Sequence, residues 1–385
     1  MTRVEAIAAQ MREWRQGFHR RPELGFDLPL TSARVAELLE GFGLEVHRGI
    51  GGSGVVGVLQ RGNGARGIAI RADMDALPIT EETGAVYASE TVGQMHACGH
   101  DGHMTMALGA AKVLASGGDF NGRAVFVFQP NEEHGEGAAA MIADGLFERF
   151  AVDEVYGAHN IPGQPVGSFA TRSGPITASE ALFEIDIRAR GGHAALPHMG
   201  VDAITVGAEI VAALQTIVSR KLDPAQNGVV SVTEFITDGA RNVLPGRAVL
   251  RGDCRALTPD TNAAIEDAMR RIVGGICAAH GVDATVGYDT IFPPTLNAPG
   301  AVAGAVAAAE HLGADMDAAC APKLFSEDFA HMAAHVPGCF VLMGNGTEGA
   351  PARPLHSSDY DFNDDALVPG AAFWVQLVEE RLAKA

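Results

Sequence analysis

Residue types that bind metals gather in a few short segments of this chain. The densest is His96-Ala97-Cys98-Gly99-His100-Asp101-Gly102-His103, which reads as the entry to a helix. Cys98 and His100 flank a glycine, whose freedom lets the backbone turn both side chains onto one point. A helix N-terminus lowers a thiol pKa and favours the metal-binding thiolate. Cys, His and Glu together suit zinc or a first-row neighbour. The same chemistry recurs in Asp73-Met74-Asp75, in Asn131-Glu132-Glu133-His134, in His159-Asn160, and in Gly344-Asn345-Gly346 with His356 a loop further on. Lone histidines such as His19, His47 and His311 read as surface residues. Cys254, Cys277, Cys320 and Cys339 lie in apolar or mixed surroundings and read as buried packing residues. The run Gly51-Gly52-Ser53-Gly54 reads as a tight turn; without a following Lys-Ser/Thr it is not a phosphate loop.

Each of these acidic or histidine-bearing segments follows a strand-like run: residues 67–71, 123–128, 154–158 and 339–343. Open α/β sheets bind ligands outside the carboxyl ends of their strands, so four such ends converging with Asp, Glu and His predict a site. The elements around them alternate. Helices are predicted over 3–20, 32–42 (closed by Gly43), 102–114, 138–143, 300–311 and 368–382, with a further strand over 54–60. This order predicts an α/β catalytic domain with a mixed, mostly parallel sheet flanked by helices. The pattern changes near Ala178. Strands over 182–189, 229–236, 248–256 and 284–288, with helices over 202–219 and 261–280, give the order β-α-β-β-α-β of a ferredoxin-like unit. The expected domains are 1–179 with 291–385 for the metal-binding catalytic part, and an inserted 180–290.

Composition narrows the function. At 385 residues the chain exceeds one ordinary core. A net charge of −19 argues against nucleic acid and anionic membrane surfaces as partners. No apolar run reaches the ~18 residues of a membrane span, and no signal-like apolar stretch follows Met1. Five scattered cysteines fit a reducing compartment. A soluble, cytoplasmic protein is expected.

Taken together, the motifs resemble the M20 metallopeptidase clan, in particular its amidohydrolase branch of hippurate hydrolases, auxin-conjugate hydrolases and N-acetyl-diaminopimelate deacetylases. The matching segments are RRPELGF at 20–26, RADMDALPI at 71–79, MHACGHDGH at 95–103, FQPNEE at 128–133, GAHN at 157–160, GGHAALPH at 191–198, RNVLP at 241–245, FSEDFA at 325–330 and PLHSSDYDFND at 354–364. The resemblance implies a two-metal centre with Cys98, His100, Glu133, His159 and His356 as ligands. It implies Glu132 as general base, Asp73 as support for a ligand, and His193 as a residue reaching a partner subunit's active site. Asn242 and Arg255 match positions linked to substrate binding. Residues 180–290 would form a lid and dimerisation domain in a homodimer or larger homo-oligomer. Two departures stand out. Arg71 occupies the place of a histidine in the peptidase members, with Cys98 compensating as ligand. The segment Gly252-Asp253-Cys254-Arg255 has an unusual Asp-Cys before its arginine.

The implied reaction is hydrolysis of the amide bond in a small N-acyl amino acid. Glu132 would pass a proton from the attacking water to the leaving amine, and His193 would stabilise the tetrahedral oxyanion. The implied cofactors are two divalent ions, manganese or zinc first, with nickel and cobalt also suited to these ligands. An M20-type dipeptidase or carboxypeptidase is the alternative within the clan, and Arg71 with Cys98 argues against it. A metal-dependent scaffold without activity is the alternative outside it, opposed by the complete set of site residues.

Overall fold

The computed structural model describes residues 3–384. The described chain divides into two compact units. One comprises the chain up to Ile176, Leu296–Ala321 and the part from Asp328 on; the other comprises Thr177–Thr295 and Pro322–Glu327. The expected insertion was 180–290; the short return at 322–327 carries no compositional signal in the sequence.

The first unit is built on β1 (Glu45–Ile50), β2 (Gly54–Arg61), β3 (Gly67–Asp73), β4 (Gly122–Gln129), β5 (Glu154–Pro162) and β6 (Gly338–Gly346). They lie in the order β1-β2-β4-β3-β5-β6, and the short strands Phe169–Ala170 and Met316–Asp317 complete an eight-stranded sheet among the described residues. The central strands β4, β3, β5 and β6 are mutually parallel, whereas β1 and β2 run antiparallel at one edge. Every residue of β3 and of β6 is buried. Strands covered on both faces read as continuous apolar runs, which is why their sequence signal is strong. Helices α1 (Ala8–His19), α2 (Pro29–Phe42), α3 (His100–Gly117), α4 (Pro299–His311) and α5 (Leu367–Arg381) flank the sheet. Met104, Leu108, Ile68, Phe126, Val341 and Trp374 share one apolar core. Helix α2 ends where Gly43 adopts a left-handed conformation (φ 89°), as the sequence predicts.

The second unit has strands Ser179–Arg188, Gly228–Thr237, Arg247–Ala256 and Asp283–Phe292 with helices Ala203–Leu214 and Pro259–His280. The four strands form one antiparallel sheet with Ser179–Arg188 and Arg247–Ala256 in the middle. This is the expected β-α-β-β-α-β arrangement. Thr258 caps the longer helix, its hydroxyl accepting from Thr261 N at 3.1 Å. The helix expected over 202–219 is regular only to Leu214. Ile217–Lys221 then forms a wider π turn. Among the described residues, no helix is long and apolar enough to cross a membrane.

Candidate metal centre

The carboxyl ends of β3, β4 and β5 and the first turn of α3 bring the candidate ligands together. Cys98 Sγ lies 3.3 Å from His159 Nε2. His100 Nε2 lies 3.8 Å from Glu133 Oε1, and His356 Nε2 lies 3.5 Å from Glu133 Oε2. Donor atoms of Cys98, His100 and His159 fall within 4.8 Å of one another, as do those of Cys98, Glu133 and His356 and those of His100, Glu132 and Glu133. Gly99 makes the turn between Cys98 and His100 at φ 93°, and a Cβ there would collide with the Asn160 side chain and the Tyr360 hydroxyl. Glycine is therefore required twice over, by conformation and by space. Among the described residues, two that are not glycine adopt the left-handed region, Asn131 (φ 51°) beside Glu132 and His356 itself (φ 65°). Such conformations concentrate at functional sites. His356 is half exposed, with 52% of its side chain accessible, so it forms the rim of an otherwise buried cluster.

A second layer sets the tautomers. His100 Nδ1 faces the carbonyl oxygen of Asp75 at 2.8 Å, and His159 Nδ1 faces that of Asn160 at 2.8 Å. A carbonyl only accepts, so each Nδ1 donates a proton to it and each Nε2 is the nitrogen turned towards the cluster. The Asp75 carboxylate accepts from the backbone N–H of Glu132 (3.0 Å) and Glu133 (3.1 Å), which fixes the paired-glutamate turn. Asp73 accepts from Arg71 Nη1 at 2.7 Å and pairs with His103 Nδ1 at 2.6 Å. Asp75 and His103 had no role assigned from sequence. Both sit inside the motifs at 71–79 and 95–103, and that position was the available signal.

The thiol departs from expectation. Cys98 precedes the first turn of α3 and is buried among Glu133, Glu132 and Asp73, so burial and these carboxylates push its pKa well above the usual value instead of lowering it. A bound cation would favour the thiolate against this penalty. Burial would depress His100, yet Asp73, Asp75 and Glu133 outweigh it and bring His100 up to about 10. Burial pushes Glu133 up to about 7 against the pull of His100. His159 is driven well below its usual value by burial and by His103. The buried His100 Nε2 and Glu133 Oε1 have no hydrogen-bond partner among the described residues. Buried polar atoms rarely stay unpaired. Soft and imidazole ligand groups aimed at one point, with two buried polar atoms left unpartnered among them, fit divalent metal.

Behind the cluster, Asp101 anchors α3 to α1. Its Oδ2 lies 2.8 Å from His19 Nδ1 and 3.4 Å from Arg15 Nη1, and Arg15 reaches Asp361 (2.9 Å) and Asp364 (2.7 Å). His19 is thus not the surface residue its isolation suggested; it is fully buried because Asp101 and Glu81 supply partners on both ring nitrogens. Although burial lowers it, these partners raise His19 to about 9. A raised histidine stabilises the fold fully below its unfolded value of 6.5 and loses that contribution as pH rises through about 9. The expected loss is about 3 kcal/mol over that window. Urea denaturation at pH 6 and pH 9.5 checks it: His19→Gln should flatten the difference, and an unchanged pH slope would rule the pair out as its source.

The remaining candidates lie in the second unit. His193 sits on the short strand Gly192–His193, opposite Val243 of the strand Val243–Leu244, and Ala194 N donates to the Asn242 carbonyl at 3.0 Å. His193 and Asn242 are therefore neighbours, and both are exposed. Arg255 lies elsewhere on that unit. Its guanidinium is held by Asp253 (2.9 Å), Glu180 (2.9 Å) and the Ser326 hydroxyl (2.6 Å). No hydrogen bond or ion pair joins Arg255 to His193 or Asn242 among the described residues.

Residues 69–380 match the pattern of peptidase family M20/M25/M40. The chain belongs to that family. Among its relatives, this M20 protein is 38% identical over 373 residues to the hippurate hydrolase of Campylobacter jejuni, covering 96% of both chains. It is 34% identical over 377 residues to the N-acetylcysteine deacetylase of Bacillus subtilis, covering 97% of both. Its structure matches the Bacillus subtilis protein YXEP, a dinuclear metal-binding peptidase of the M20 family, with a TM-score of 0.87 and 30% identity. That match covers 99% of this chain and 100% of the other. The hippurate hydrolase and the deacetylase agree with the amidohydrolase branch that the motifs resemble.

Proposed function

We propose that this M20 protein hydrolyses the amide bond of small N-acyl amino acids, of hippurate or N-acetyl type, releasing a carboxylic acid and a free amino acid. The observation that carries the reading is the buried Cys98–His100–Glu133–His159 cluster, with His356 at its rim and two unpartnered polar atoms inside it. It lies in a chain that aligns almost end to end with a hippurate hydrolase. Two divalent ions held by these five residues would polarise the amide carbonyl and lower the pKa of a water towards neutrality. The thiolate favours zinc, and the imidazoles and carboxylate also accept manganese, nickel or cobalt.

The protein's own groups do the rest. Asp75 holds the backbone of Glu132 so that its carboxylate sits beside His100 and Glu133. Glu132 accepts the proton of the attacking water and returns it to the leaving nitrogen, acting as base and then as acid. His193, with Asn242 beside it, presents an exposed imidazole for the developing oxyanion and for the substrate's polar groups, donated across a homodimer. Arg255 is a weaker candidate for substrate contact, because its donors already face Asp253, Glu180 and Ser326. The second unit acts as lid and dimerisation domain, and the setting is cytoplasmic.

A substrate panel tests the reading: hippurate, N-acetyl and indole-acetyl amino acids against dipeptides with free amino termini, each with zinc, manganese, cobalt and nickel. The expected result is kcat/KM at least ~10-fold higher for the best acyl amino acid than for any dipeptide, a preference of about 1.4 kcal/mol. Faster cleavage of dipeptides would favour the peptidase alternative.

A further inference from the structure

His103 has the marks of a metal ligand. It is buried, lies one turn beyond His100 on α3, and its ring centroid is 5.5 Å from that of His100 and 4.7 Å from that of His159. Its donor atom falls within 4.8 Å of those of Asp73 and His100. Both of its nitrogens are nevertheless engaged. Nδ1 meets Asp73 Oδ1 at 2.6 Å, and a carboxylate there makes Nδ1 the proton-bearing atom. Nε2 meets the side-chain amide of Asn160 at 2.6 Å and the Asn160 backbone N–H at 3.3 Å. If Nε2 carries a proton, it donates to the amide oxygen and cannot ligate. If it does not, its lone pair accepts from Asn160. Neither protonation state leaves a lone pair for a cation.

Each partner of His103 stands beside a ligand, as the Asp75 carbonyl does on the other nitrogen of His100. The Asn160 carbonyl accepts from His159 Nδ1, and Asp73 Oδ2 lies 3.8 Å from His100 Nε2. The outer ends of the row are pinned in turn. Arg71 holds Asp73 while bonding Gln129 Oε1 and Asp328 Oδ1, each at 2.8 Å. Asn160 meets the Tyr360 hydroxyl at 2.5 Å. Arg71, Asp73, His103, Asn160 and Tyr360 are all buried. We infer that His103 is a positioning residue, not a ligand: it couples Asp73 to Asn160 across the floor of the site and thereby fixes His100 and His159. Arg71 then has a role of its own, holding Asp73 turned towards this row.

The inference rests on the two-metal reading above, and metal titration separates the two. Asparagine at 103 can reach Asp73 but not Asn160, and glutamine the reverse, so His103→Asn and His103→Gln each cut one half of the row. Metal-stripped wild type and both variants are titrated calorimetrically with zinc, and the cobalt-loaded forms are read by the Cys98 thiolate-to-cobalt absorption. The expected result is two ions per chain in all three, a retained thiolate band, and affinity for at least one ion about 10- to 100-fold weaker in each variant. Tyr360→Phe, which removes only a terminal hydroxyl, should weaken binding by about two- to tenfold and serves if a histidine variant does not fold. Loss of one ion per chain on changing His103 would make it a ligand and overturn the inference. A lower melting temperature with unchanged affinity would overturn it equally, as would unchanged affinity in Tyr360→Phe. A wild type that binds no ion would instead overturn the metal reading beneath it.

Discussion

Glu132→Gln is expected to keep both metal ions bound and to lower kcat by about 10²–10⁴-fold, with KM changed only severalfold. Glutamine has the size and hydrogen-bonding reach of glutamate but no basic lone pair to take a proton, so only the proton-transfer step suffers. The backbone at this position is set by Asp75, which accepts from Glu132 N and Glu133 N whatever the side chain, so the turn should survive the substitution. The geometry also contains the rival outcome. Glu132 lies within 4.8 Å of donors on His100 and Glu133, so a ligand role for it is sterically open. Metal analysis of the purified variant therefore matters as much as its kinetics. Loss of an ion would make Glu132 a ligand, and retained turnover would remove it from proton transfer.

The parts of this protein that were legible in the sequence are those where burial writes itself into residue type. Strands β3 and β6 are covered on both faces and appear as apolar runs, and the half-covered strand Ser179–Arg188 alternates buried and exposed residues along its length. The edge strand β1 was missed because Glu45–Ile50 is largely exposed and carries His47 and Arg48, so no periodicity marks it. The two-residue strands Phe169–Ala170 and Met316–Asp317 and the short helix Phe329–His335 are set by long-range pairing and packing, which no local window contains.

The site divides in the same way. Cys98, His100, Glu133, His159 and His356 could be named because the family motifs assign them, and their types at a helix entry and after strands already marked the segments. Their surroundings could not. That His100 and His159 each spend Nδ1 on a backbone carbonyl depends on where Asp75 and Asn160 fold, and carbonyls leave no trace in sequence. The thiol shift took the opposite sign to expectation because the fold buries Cys98 and brings Glu133 and Glu132, some 35 residues further along, beside it. His19 misled for a related reason. A lone histidine is ordinarily a surface residue, and only the folded chain shows Asp101 and Glu81 meeting it.

Metal removal bears most directly on the central claim. Orphaned His100 Nε2 and Glu133 Oε1 within a buried donor cluster, and the likeness to a dinuclear metal-binding relative, point to two ions that would lower the pKa of the attacking water. The decisive measurement follows metal content and hydrolysis of the best acyl amino acid of the substrate panel in the same sample during chelator dialysis and stepwise return of zinc or manganese. Two ions per chain are expected at the outset, with loss of hydrolysis to background as they leave and recovery that is complete only when both sites are refilled. A fully stripped protein that still hydrolyses that substrate at its original rate would contradict the two-metal reading.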